Sequence, residues 1–405
     1  MQQPGLTTAS AAWTIYPLRF LLAFAQGGLL SPLLPLLRET FHVSYGELGL
    51  LTAMPGLSSV VMDIIATYLL NHRPPLRTLL QGIALTGVAL LCSMLAPGFY
   101  WLVGAQMLLG FGITVARLMS LTVVVAATPR ETMGRANNLL EFSAIAGIML
   151  SPTLSGLMAY LLHWRAAFGV AVVFVGGAFA WVLYHRQILT EAMGASTVKH
   201  TSGSNPAPAS AGASAAPRAS SRPAVAVGIA YLTTFVLSFT WSGFISTALP
   251  LFGGEVVGVP ASILGMVFTI GLLCDLVLLM PIGWLSDRLE YRTVLAPAML
   301  LMAFTLACMS SAHSLGTLIL VSIGLHTGFA AWGMPSAALA LYVPGDRLTR
   351  TMGIYRLLVD GAVVIAPWLI GTLIEQYGYG VPAYGTAAVL VLNAVLVLWG
   401  LRAVR

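Results

Sequence analysis

The sequence predicts an all-α integral membrane protein whose chain crosses the bilayer twelve times. Three observations support this prediction: apolar segments of spanning length, a charged fraction of only 8%, and cations that collect on one side of the membrane. Each segment is long enough to span a bilayer, since a helix of about 20 apolar residues crosses about 30 Å of hydrocarbon. The predicted helices are, in order, 14–37, 46–70, 76–96, 99–127, 136–160, 164–184, 224–252, 260–284, 292–311, 316–343, 352–374 and 380–401.

The composition is incompatible with a water-soluble protein of this length. Mean hydropathy is +0.90 and 8% of the 405 residues are charged, whereas an ordinary soluble domain is about 25% charged. This excludes almost every soluble enzyme. The sequence contains no Gly-Lys-Ser phosphate loop and no metal-ligand spacing, so we expect no ATP site, no cofactor, no metal and no enzymatic activity. The three cysteines fall within predicted spans and indicate no disulfide framework.

Lys and Arg are distributed very unevenly between alternate connections. One set of alternate connections holds fifteen cations, and the other set holds only Arg38 and Arg165. Of the remaining two, Arg19 lies at the start of helix 1 and Arg117 lies inside helix 4. The positive-inside rule therefore predicts a multi-pass protein of the cytoplasmic (inner) membrane with both termini cytoplasmic. The net charge of +6 then reflects topology and requires no nucleic-acid partner. The fifteen cations of the cytoplasmic side are Arg73, Arg77, Arg130, Arg135, Arg186, Lys199, Arg218, Arg222, Arg288, Arg292, Arg347, Arg350, Arg356, Arg402 and Arg405.

A polar connection divides the chain into two similar halves. Residues 185–223 are rich in Ala, Ser, Gly and Pro and cannot bury enough apolar area to fold, so we expect a flexible cytoplasmic linker. The flanking segments, 1–184 and 224–405, are predicted to form two six-helix bundles related by a pseudo-two-fold repeat, as in many secondary transporters. At a constant offset of 215, helix 1 residues match helix 7 residues: Phe24 with Phe239, Gly28 with Gly243, Ser31 with Ser246 and Pro35 with Pro250.

Two motifs resemble signatures of the major facilitator superfamily. Residues 283–292, Gly-Trp-Leu-Ser-Asp-Arg-Leu-Glu-Tyr-Arg, resemble its G-x-L-x-D-R-x-G-R loop after helix 8. Residues 147–156 are similar to the G-x-x-x-G-P-x-x-G-G pattern of its antiporters, with serine at two glycine positions. Small residues four apart let two helices approach closely. The resemblance covers nearly the whole chain and implies alternating access around a central cavity lined by helices 1, 4, 7 and 10.

The loop signature and two repeat-related acids predict a cytoplasmic gate. Asp287 can cap the start of a neighbouring helix or pair with Arg288 or Arg292. Glu141 and Asp360 each come eight residues after the Met of a Thr-Met-Gly sequence. A solvated turn and static ion pairs are the alternatives. The predicted gating residues are Asp287, Arg288, Arg292, Glu141, Arg356 and Asp360.

Ionisable residues deep within the predicted spans mark the candidate transport residues. A charge at the bilayer centre costs about 2.5–3.5 kcal/mol and should face protein or water. Arg117 and Asp275 each lie about ten residues from the cytoplasmic end of a helix that rises about 1.5 Å per residue, near mid-membrane. Arg117 either binds an anionic group of the substrate or pairs with an acid. We expect Asp275 to carry the coupling proton, with Asp63 next, and a hydrogen-bonded structural acid is the alternative.

Aromatic and small polar residues on helices 1, 7 and 10 form a possible binding surface. Packing is the alternative role for such residues. The case is stronger for Trp241 and Trp332 because neither falls at a membrane boundary, where tryptophan is enriched. The predicted substrate-binding residues are Arg117, Gln26, Trp241, Trp332, Phe24 and Phe239.

Three classes of function remain open at this point. We favour a secondary active transporter that exports small, largely apolar or amphipathic molecules by proton antiport, functioning as a monomer in the lipid bilayer. Without an ATP site, concentrative transport must use an ion gradient. The alternative is a proton-coupled uptake carrier for a small organic anion or metabolite. A receptor on a transporter scaffold is the third class, and it would normally append a soluble domain.

Overall fold

A computed structural model of the protein describes residues 4–72, 74–128, 133–191 and 223–401. Within these ranges all regular structure is helical and no β-strand occurs. A 3₁₀ turn at Ser31–Leu33 and a π-helical segment at Trp241–Ala248 interrupt the α-helices. The α-helices are α1 (Pro4–Gln26), α2 (Leu34–Phe41), α3 (Tyr45–His72), α4 (Pro75–Met94), α5 (Phe99–Ala127), α6 (Met133–Leu161), α7 (Trp164–Tyr184), α8 (Pro223–Thr240), α9 (Leu249–Glu255), α10 (Ala261–Arg288), α11 (Tyr291–Met309), α12 (Leu315–Phe329), α13 (Met334–Tyr342), α14 (Gly345–Tyr377) and α15 (Gly380–Gly400).

The predicted all-α membrane fold is confirmed. In the described part of the chain, 11 helical segments are long and apolar enough to cross a membrane. The second predicted span, 46–70, lies within α3, several of whose side chains are outside the described residues. The predicted linker begins with a short helix at 186–191, and its residues 192–222 lie outside the described part, so its flexibility stays a prediction.

Several helices extend further than the hydropathy pattern predicts. Helix α1 begins at Pro4 rather than 14, α10 ends at Arg288 rather than 284, and α14 begins at Gly345 rather than 352. Small and polar residues lower the hydropathy of these ends, but a helix needs only its backbone hydrogen bonds to continue. Two predicted positions change as a result. Arg19 lies well inside α1 instead of at its start, and Asp287 lies in the last turn of α10 instead of in a loop.

Three spans that we predicted to be continuous are irregular near their middles. Helix 1 breaks at 27–30, where Gly28 adopts a left-handed conformation with φ 77°. Helix 7 is π-helical from Trp241 to Ala248, and helix 10 breaks at 330–333. The first two irregularities occupy matching positions of the repeat, since Gly28 corresponds to Gly243. Irregular backbone at membrane depth is tolerated where protein buries it or where it lines a cavity, and π-helical turns are frequent at functional sites.

By contacts between residues, the chain forms two compact units. Unit 1 comprises Met1–Leu30 and Met54–Gly212, and unit 2 comprises Ser31–Ala53 and Ala213–Arg405. Residues 31–53, which the repeat assigns to the first bundle, thus have their main contacts with the second half of the chain. The division into bundles at 1–184, 185–223 and 224–405 stays a prediction.

In unit 1, helix α1 packs against α5, α6 and α7, and α4 packs against α5 and α7. The antiporter-like motif of α6 forms the surface that receives the broken part of helix 1. A Cβ atom at Gly147 would overlap the carbonyl oxygen of Phe20, and a Cβ atom at Gly28 would overlap the ring of Pro152. Ser155 Oγ donates a hydrogen bond to the Leu29 carbonyl oxygen at 2.6 Å and so satisfies a backbone group that the break exposes. The motif therefore serves close helix packing, as predicted.

We expect Gly147→Ala to lower the unfolding temperature of the purified protein. The added methyl group forces α6 away from α1, and overpacking of this kind costs about 1–3 kcal/mol. Gly104→Ala is the matched control, because a Cβ atom there meets nothing within 4 Å. Equal unfolding temperatures for the two variants, measured by differential scanning fluorimetry in detergent, would contradict the close approach of these helices.

In unit 2, α11 packs against α12 and α15, α10 packs against α12, and α14 packs against α8 and the π-helical segment. Helix α2 packs on α9. The start of α3 also approaches α14 closely, because a Cβ atom at Gly49 would overlap the backbone of Pro367 and one at Gly371 would overlap that of Tyr45. Two glycines thus let the start of α3 lie directly on the backbone of α14.

Candidate functional site

Unit 1 gathers charged side chains from four helices into one group, the unit 1 charge cluster. Arg117 of α5 places Nη2 3.7 Å from Oδ2 of Asp63 on α3. Arg19 of α1 is 5% exposed and donates from Nη1 to Gln26 Oε1 at 3.1 Å. The charges acting on the Arg19 guanidinium are those of Glu141 on α6 and of Arg117. Among the residues that the structure describes, the cluster thus includes two arginines and two acids.

The pairing of Arg117 with Asp63 agrees with one of the two predicted roles for Arg117, which were substrate binding and pairing with an intramembrane acid. Arg19 is a member of the cluster that we did not predict. We expected it at the start of helix 1 because the apolar run begins near residue 14, whereas α1 begins at Pro4. The sequence did contain a signal that Arg19 lies inside a helix, because apolar residues follow it directly.

We expect Arg117→Gln to lower the unfolding temperature more than the double variant Arg117→Gln/Asp63→Asn. Removing one partner of a fully buried ion pair lowers the free energy of unfolding by about 3–5 kcal/mol. The loss is smaller here, because the side chains of Arg117 and Asp63 are 32% and 20% exposed. Removing both partners leaves no uncompensated charge. The unfolding temperatures of the wild-type protein, the two single variants and the double variant together form a double-mutant cycle. Additive effects of the single changes would contradict an interaction between these side chains.

In unit 2, three aromatic rings form a continuous stack at two irregular backbone segments, and we name them the aromatic face. Trp241, the first residue of the π-helical segment, stacks on Phe329 with ring centroids 4.5 Å apart. Phe329 stacks in turn on Trp332, with centroids 6.1 Å apart and planes 3° from parallel. Trp332 lies in the break of helix 10 and is 46% exposed. The structure thus brings the two predicted tryptophans together on one surface.

His326 lies directly beside the aromatic face. Its imidazole meets the Trp241 ring edge-on at 5.5 Å and the Phe268 ring at 6.5 Å. The ring is completely buried, and neither of its nitrogens has a hydrogen-bond partner among the described residues. A Cβ atom at Gly271 would lie 2.6 Å from His326 Nε2, so only a glycine on α10 leaves room for this ring.

Asp275 lies one helical turn beyond Gly271 on α10. Helices α10 and α12 run side by side in the same direction here. Ser322 Oγ donates to the Val267 carbonyl oxygen at 3.1 Å, and four residues further along both helices His326 contacts Gly271. Continuing this register by one turn places Asp275 level with the end of α12 and the break that follows it. Asp275 is partly exposed and has neither an ion pair nor a hydrogen bond within the described ranges.

The other predicted substrate residues do not join the aromatic face. Phe24 is fully buried in unit 1 and stacks on Phe174 at 4.1 Å, which is a packing position. Phe239 is partly buried, with its ring 6.0 Å from that of Phe235. Gln26 belongs to the unit 1 charge cluster. A substrate role for Phe24 and Phe239 remains a prediction without a supporting contact.

The predicted gating residues of the signature make short-range contacts. Arg292 Nε lies 2.5 Å from Glu290 Oε2, and the Arg288 guanidinium lies 4.0 Å over the Trp284 ring. The side chain of Asp287 lies outside the described residues. We predicted that Asp287 caps a neighbouring helix or pairs with Arg288 or Arg292, and this stays a prediction; among the described residues, Glu290 is the acid that contacts Arg292.

The repeat-related gating residues divide between the two units. In unit 2, Arg356 Nε lies 3.8 Å from Asp360 Oδ2, one turn along the same helix. Both lie three to four turns into α14, deeper than the predicted helix start at 352 implies, because α14 begins at Gly345. In unit 1, Glu141 is exposed and acts on Arg19. The gate itself remains a prediction.

A second polar group in unit 2, the Glu255 cluster, joins α2, α3, α9 and α14, and sequence reasoning did not predict it. The Glu255 carboxylate accepts hydrogen bonds from the Tyr45 phenol, from the Tyr379 phenol at 3.3 Å and from Arg38 Nη1 at 3.1 Å. Arg38 also lies 3.9 Å over the Tyr45 ring, and Glu375 accepts from the Tyr45 backbone N–H at 2.8 Å. The available signal was Arg38, a rare cation on the side of the membrane that is poor in cations.

Both phenols of this cluster lie outside the predicted spans and stay protonated. Burial, reinforced by the Glu255 carboxylate, raises the pKa of Tyr45 to about 12, and the same causes raise the pKa of Tyr379 above its ordinary value. Each phenol therefore remains a hydrogen-bond donor to Glu255 at neutral pH. A cavity of about 970 Å³ within unit 2 opens beside the cluster, and its lining includes Arg38, Glu39, Glu255 and Glu375. No group of three metal-ligating side chains occurs in the described part of the chain.

Solved structures with a similar fold are transporters. The nucleoside transporter NupG superposes with a TM-score of 0.75 at 11% identity, covering 96% of this chain and 98% of that chain. A POT family transporter in complex with a thioalcohol conjugated peptide gives 0.72 at 13% identity, covering 96% and 95%. A bacterial homolog of the human lysosomal transporter Spinster gives 0.66 at 14% identity, covering 99% and 96%. At these identities the likeness shows the fold alone.

In sequence, the chain is similar to a multi-drug resistance efflux pump PmrA homolog of Lactococcus lactis subsp. lactis (strain IL1403). The two are 29% identical over 157 residues, which span 36% of this chain and only 36% of the length of that relative. The family profile described as Major Facilitator Superfamily matches residues 18–264 and 230–405. With this match over nearly the whole chain and a fold shared with solved transporters, the protein belongs to the Major Facilitator Superfamily.

Proposed function

We propose that this protein is a proton-coupled exporter of small, largely apolar or amphipathic molecules, operating by alternating access in the cytoplasmic membrane. The observation that supports this most is the position of Asp275, deep in a predicted span and without an ion-pair partner among the described residues. Asp275 lies one helical turn from Gly271, which packs against His326 beside the aromatic face. The uneven cation distribution supports cytoplasmic termini.

A membrane carboxylate without a counterion is suited to bind and release a proton. Intramembrane acids commonly mark proton or ion pathways, and binding a proton removes the cost of the isolated charge. Asp63, our second predicted proton carrier, lies 3.7 Å from Arg117 and so already has an ion-pair partner, which makes it the weaker candidate. Exposure of Asp275 first to one side of the membrane and then to the other would let it exchange its proton once per cycle.

The aromatic face provides the binding surface in this proposal. Stacked rings present flat apolar area, and offset-stacked or edge-to-face contacts with a flat molecule are favourable there. Trp332 is 46% exposed, so part of the stack is open to a ligand. The similarity to an efflux pump homolog over 157 residues supports export as the direction.

Uptake of a small organic anion is the alternative that we weighed, and it requires a site with net positive charge. In the unit 1 charge cluster, Arg117 lies beside Asp63. The Glu141 carboxylate acts electrostatically on Arg19. Each of these two guanidinium groups thus has a carboxylate near it among the described residues, which favours an amphipathic substrate over an anion. This arrangement supports export of an apolar or amphipathic compound.

Transport measurements in proteoliposomes test this function. Purified protein is reconstituted, a pH gradient is imposed, and the movement of ethidium, a planar aromatic dye, is followed by fluorescence. We expect the dye to move against its own gradient and opposite to the proton flux, and an uncoupler to abolish this movement. Protein-free liposomes are the control. Movement of a small organic anion together with protons, without movement of the dye, would overturn export in favour of uptake.

A further inference from the structure

The structure contains a buried imidazole directly beside the proposed binding surface. We infer that His326 is a specificity-determining residue of the transport site, and that it recognises a hydrogen-bonding group on a planar aromatic substrate. This inference rests on the proposed function, because it assigns the polar contact within the site proposed there.

His326 has unused hydrogen-bonding capacity. Both ring nitrogens are buried and have no hydrogen-bond partner within the described residues, and the whole side chain is 0% exposed. A buried donor or acceptor left unpaired destabilises a protein, whereas an apolar ring of the same shape would not. For packing alone, an apolar side chain of similar size would therefore serve better at this position. A partner that arrives during the transport cycle gives the imidazole a role that phenylalanine lacks.

His326 lies between two irregular backbone segments, one on each side of the aromatic face. The Trp241 ring, 5.5 Å away and edge-on, is the contact between His326 and the aromatic face. Trp241 begins the π-helical segment, and α12 ends only three residues after His326. π-Helical turns occur frequently at functional sites, and a rearrangement of this segment during the transport cycle would move Trp241 off the imidazole. On the opposite side, the imidazole lies directly against α10 at Gly271, where a Cβ atom would overlap the ring, so the Trp241 side is the side that can open.

These surroundings define the chemical class of the ligand. A neutral imidazole donates one hydrogen bond and accepts another, so it pairs with an amine, a hydroxyl or an amide. The stacked rings select a flat aromatic body. A site that is built to hydrogen-bond a polar group rejects an analogue lacking that group far more strongly than an apolar pocket does. His326 thus sets a preference among planar compounds that the aromatic face alone would not distinguish.

A matched pair of ligands and a matched pair of variants test the inference. Ethidium carries two amino groups on a phenanthridinium ring, and its deaminated analogue has the same ring and the same charge. We expect the wild-type protein to bind ethidium about tenfold or more tightly than the analogue, measured by quenching of tryptophan fluorescence. His326→Phe should remove this preference by weakening ethidium binding alone, whatever effect the larger ring has on the unfolding temperature. His326→Gln should restore part of the preference, and His313→Phe, at an exposed histidine of the same unit, should change neither quantity.

Two results would overturn the inference. The first is an unchanged preference for ethidium in His326→Phe. The second is a lower unfolding temperature in this variant with equal weakening for both dyes, which is the behaviour of a structural residue. Failure of the proposed function has a different signature, because the wild-type protein would then bind neither dye and transport neither in proteoliposomes, and the inference would fail with it.

Discussion

Asp275→Asn should abolish proton-driven export while leaving substrate exchange in place. Asparagine resembles the protonated carboxyl group but cannot release a proton, so the variant cannot couple substrate movement to the pH gradient. In proteoliposomes we expect no accumulation of ethidium above equilibrium and near-normal counterflow, in which labelled and unlabelled dye exchange without a gradient. This is the largest functional effect that we predict, because all net driving force is lost.

Glu191→Gln is the matched control for this experiment, since it neutralises an exposed acid at the end of the helical segment 186–191. It should leave gradient-driven transport unchanged. If Asp275→Asn still moves the dye against its gradient in an uncoupler-sensitive way, the proton is carried elsewhere. Asp63 and Asp360 would then be tested next.

Glu255→Gln should open the end of unit 2 that contains the Glu255 cluster. The substitution removes the charge that Arg38 and both phenols stabilise, and each hydrogen bond to a charged group contributes about 1.5–3 kcal/mol. Thr247 reports on opening, because it is fully buried and its hydroxyl lies 3.3 Å from that of Thr52. We expect a cysteine in place of Thr247 to react with a maleimide about tenfold or more faster when Glu255 is Gln, since about 1.4 kcal/mol changes an equilibrium tenfold.

The labelling uses a background in which Cys92, Cys274 and Cys308 are replaced by serine. Glu39→Gln is the control, since Glu39 is an exposed acid that lines the same cavity. Equal labelling rates in the Glu255→Gln and Glu39→Gln variants would show that the Glu255 cluster does not hold this end closed.

Hydropathy was sufficient to predict where the helices lie, because each span must hide its backbone from lipid whatever its neighbours are. It did not predict the breaks at 27–30 and 330–333 or the π-helical segment, since side-chain hydropathy carries no information about which backbone hydrogen bonds form. The repeat held a partial signal. Gly28 and Gly243 correspond at an offset of 215, and both lie at irregular segments.

The candidate site was predictable one residue at a time but not as an arrangement. Depth alone identified Arg117 and Asp275, whereas the pairing of Arg117 with Asp63 depends on how α3 and α5 pack. Arg19 was misplaced because hydropathy set the start of helix 1 ten residues too late. The contact between Arg38 and Glu255 joins residues 217 apart in the chain, and no local pattern reports such a pair.

The central claim is that Asp275 exchanges a proton for substrate, and proton release on substrate binding tests it most directly. Purified protein in weakly buffered detergent solution near neutral pH is mixed with saturating ethidium, and a pH indicator follows released protons. We predict that the wild-type protein releases protons as it binds the dye, and that Asp275→Asn binds the dye without release. Equal release from both proteins, or dye binding by the wild type without any release, would contradict the claim.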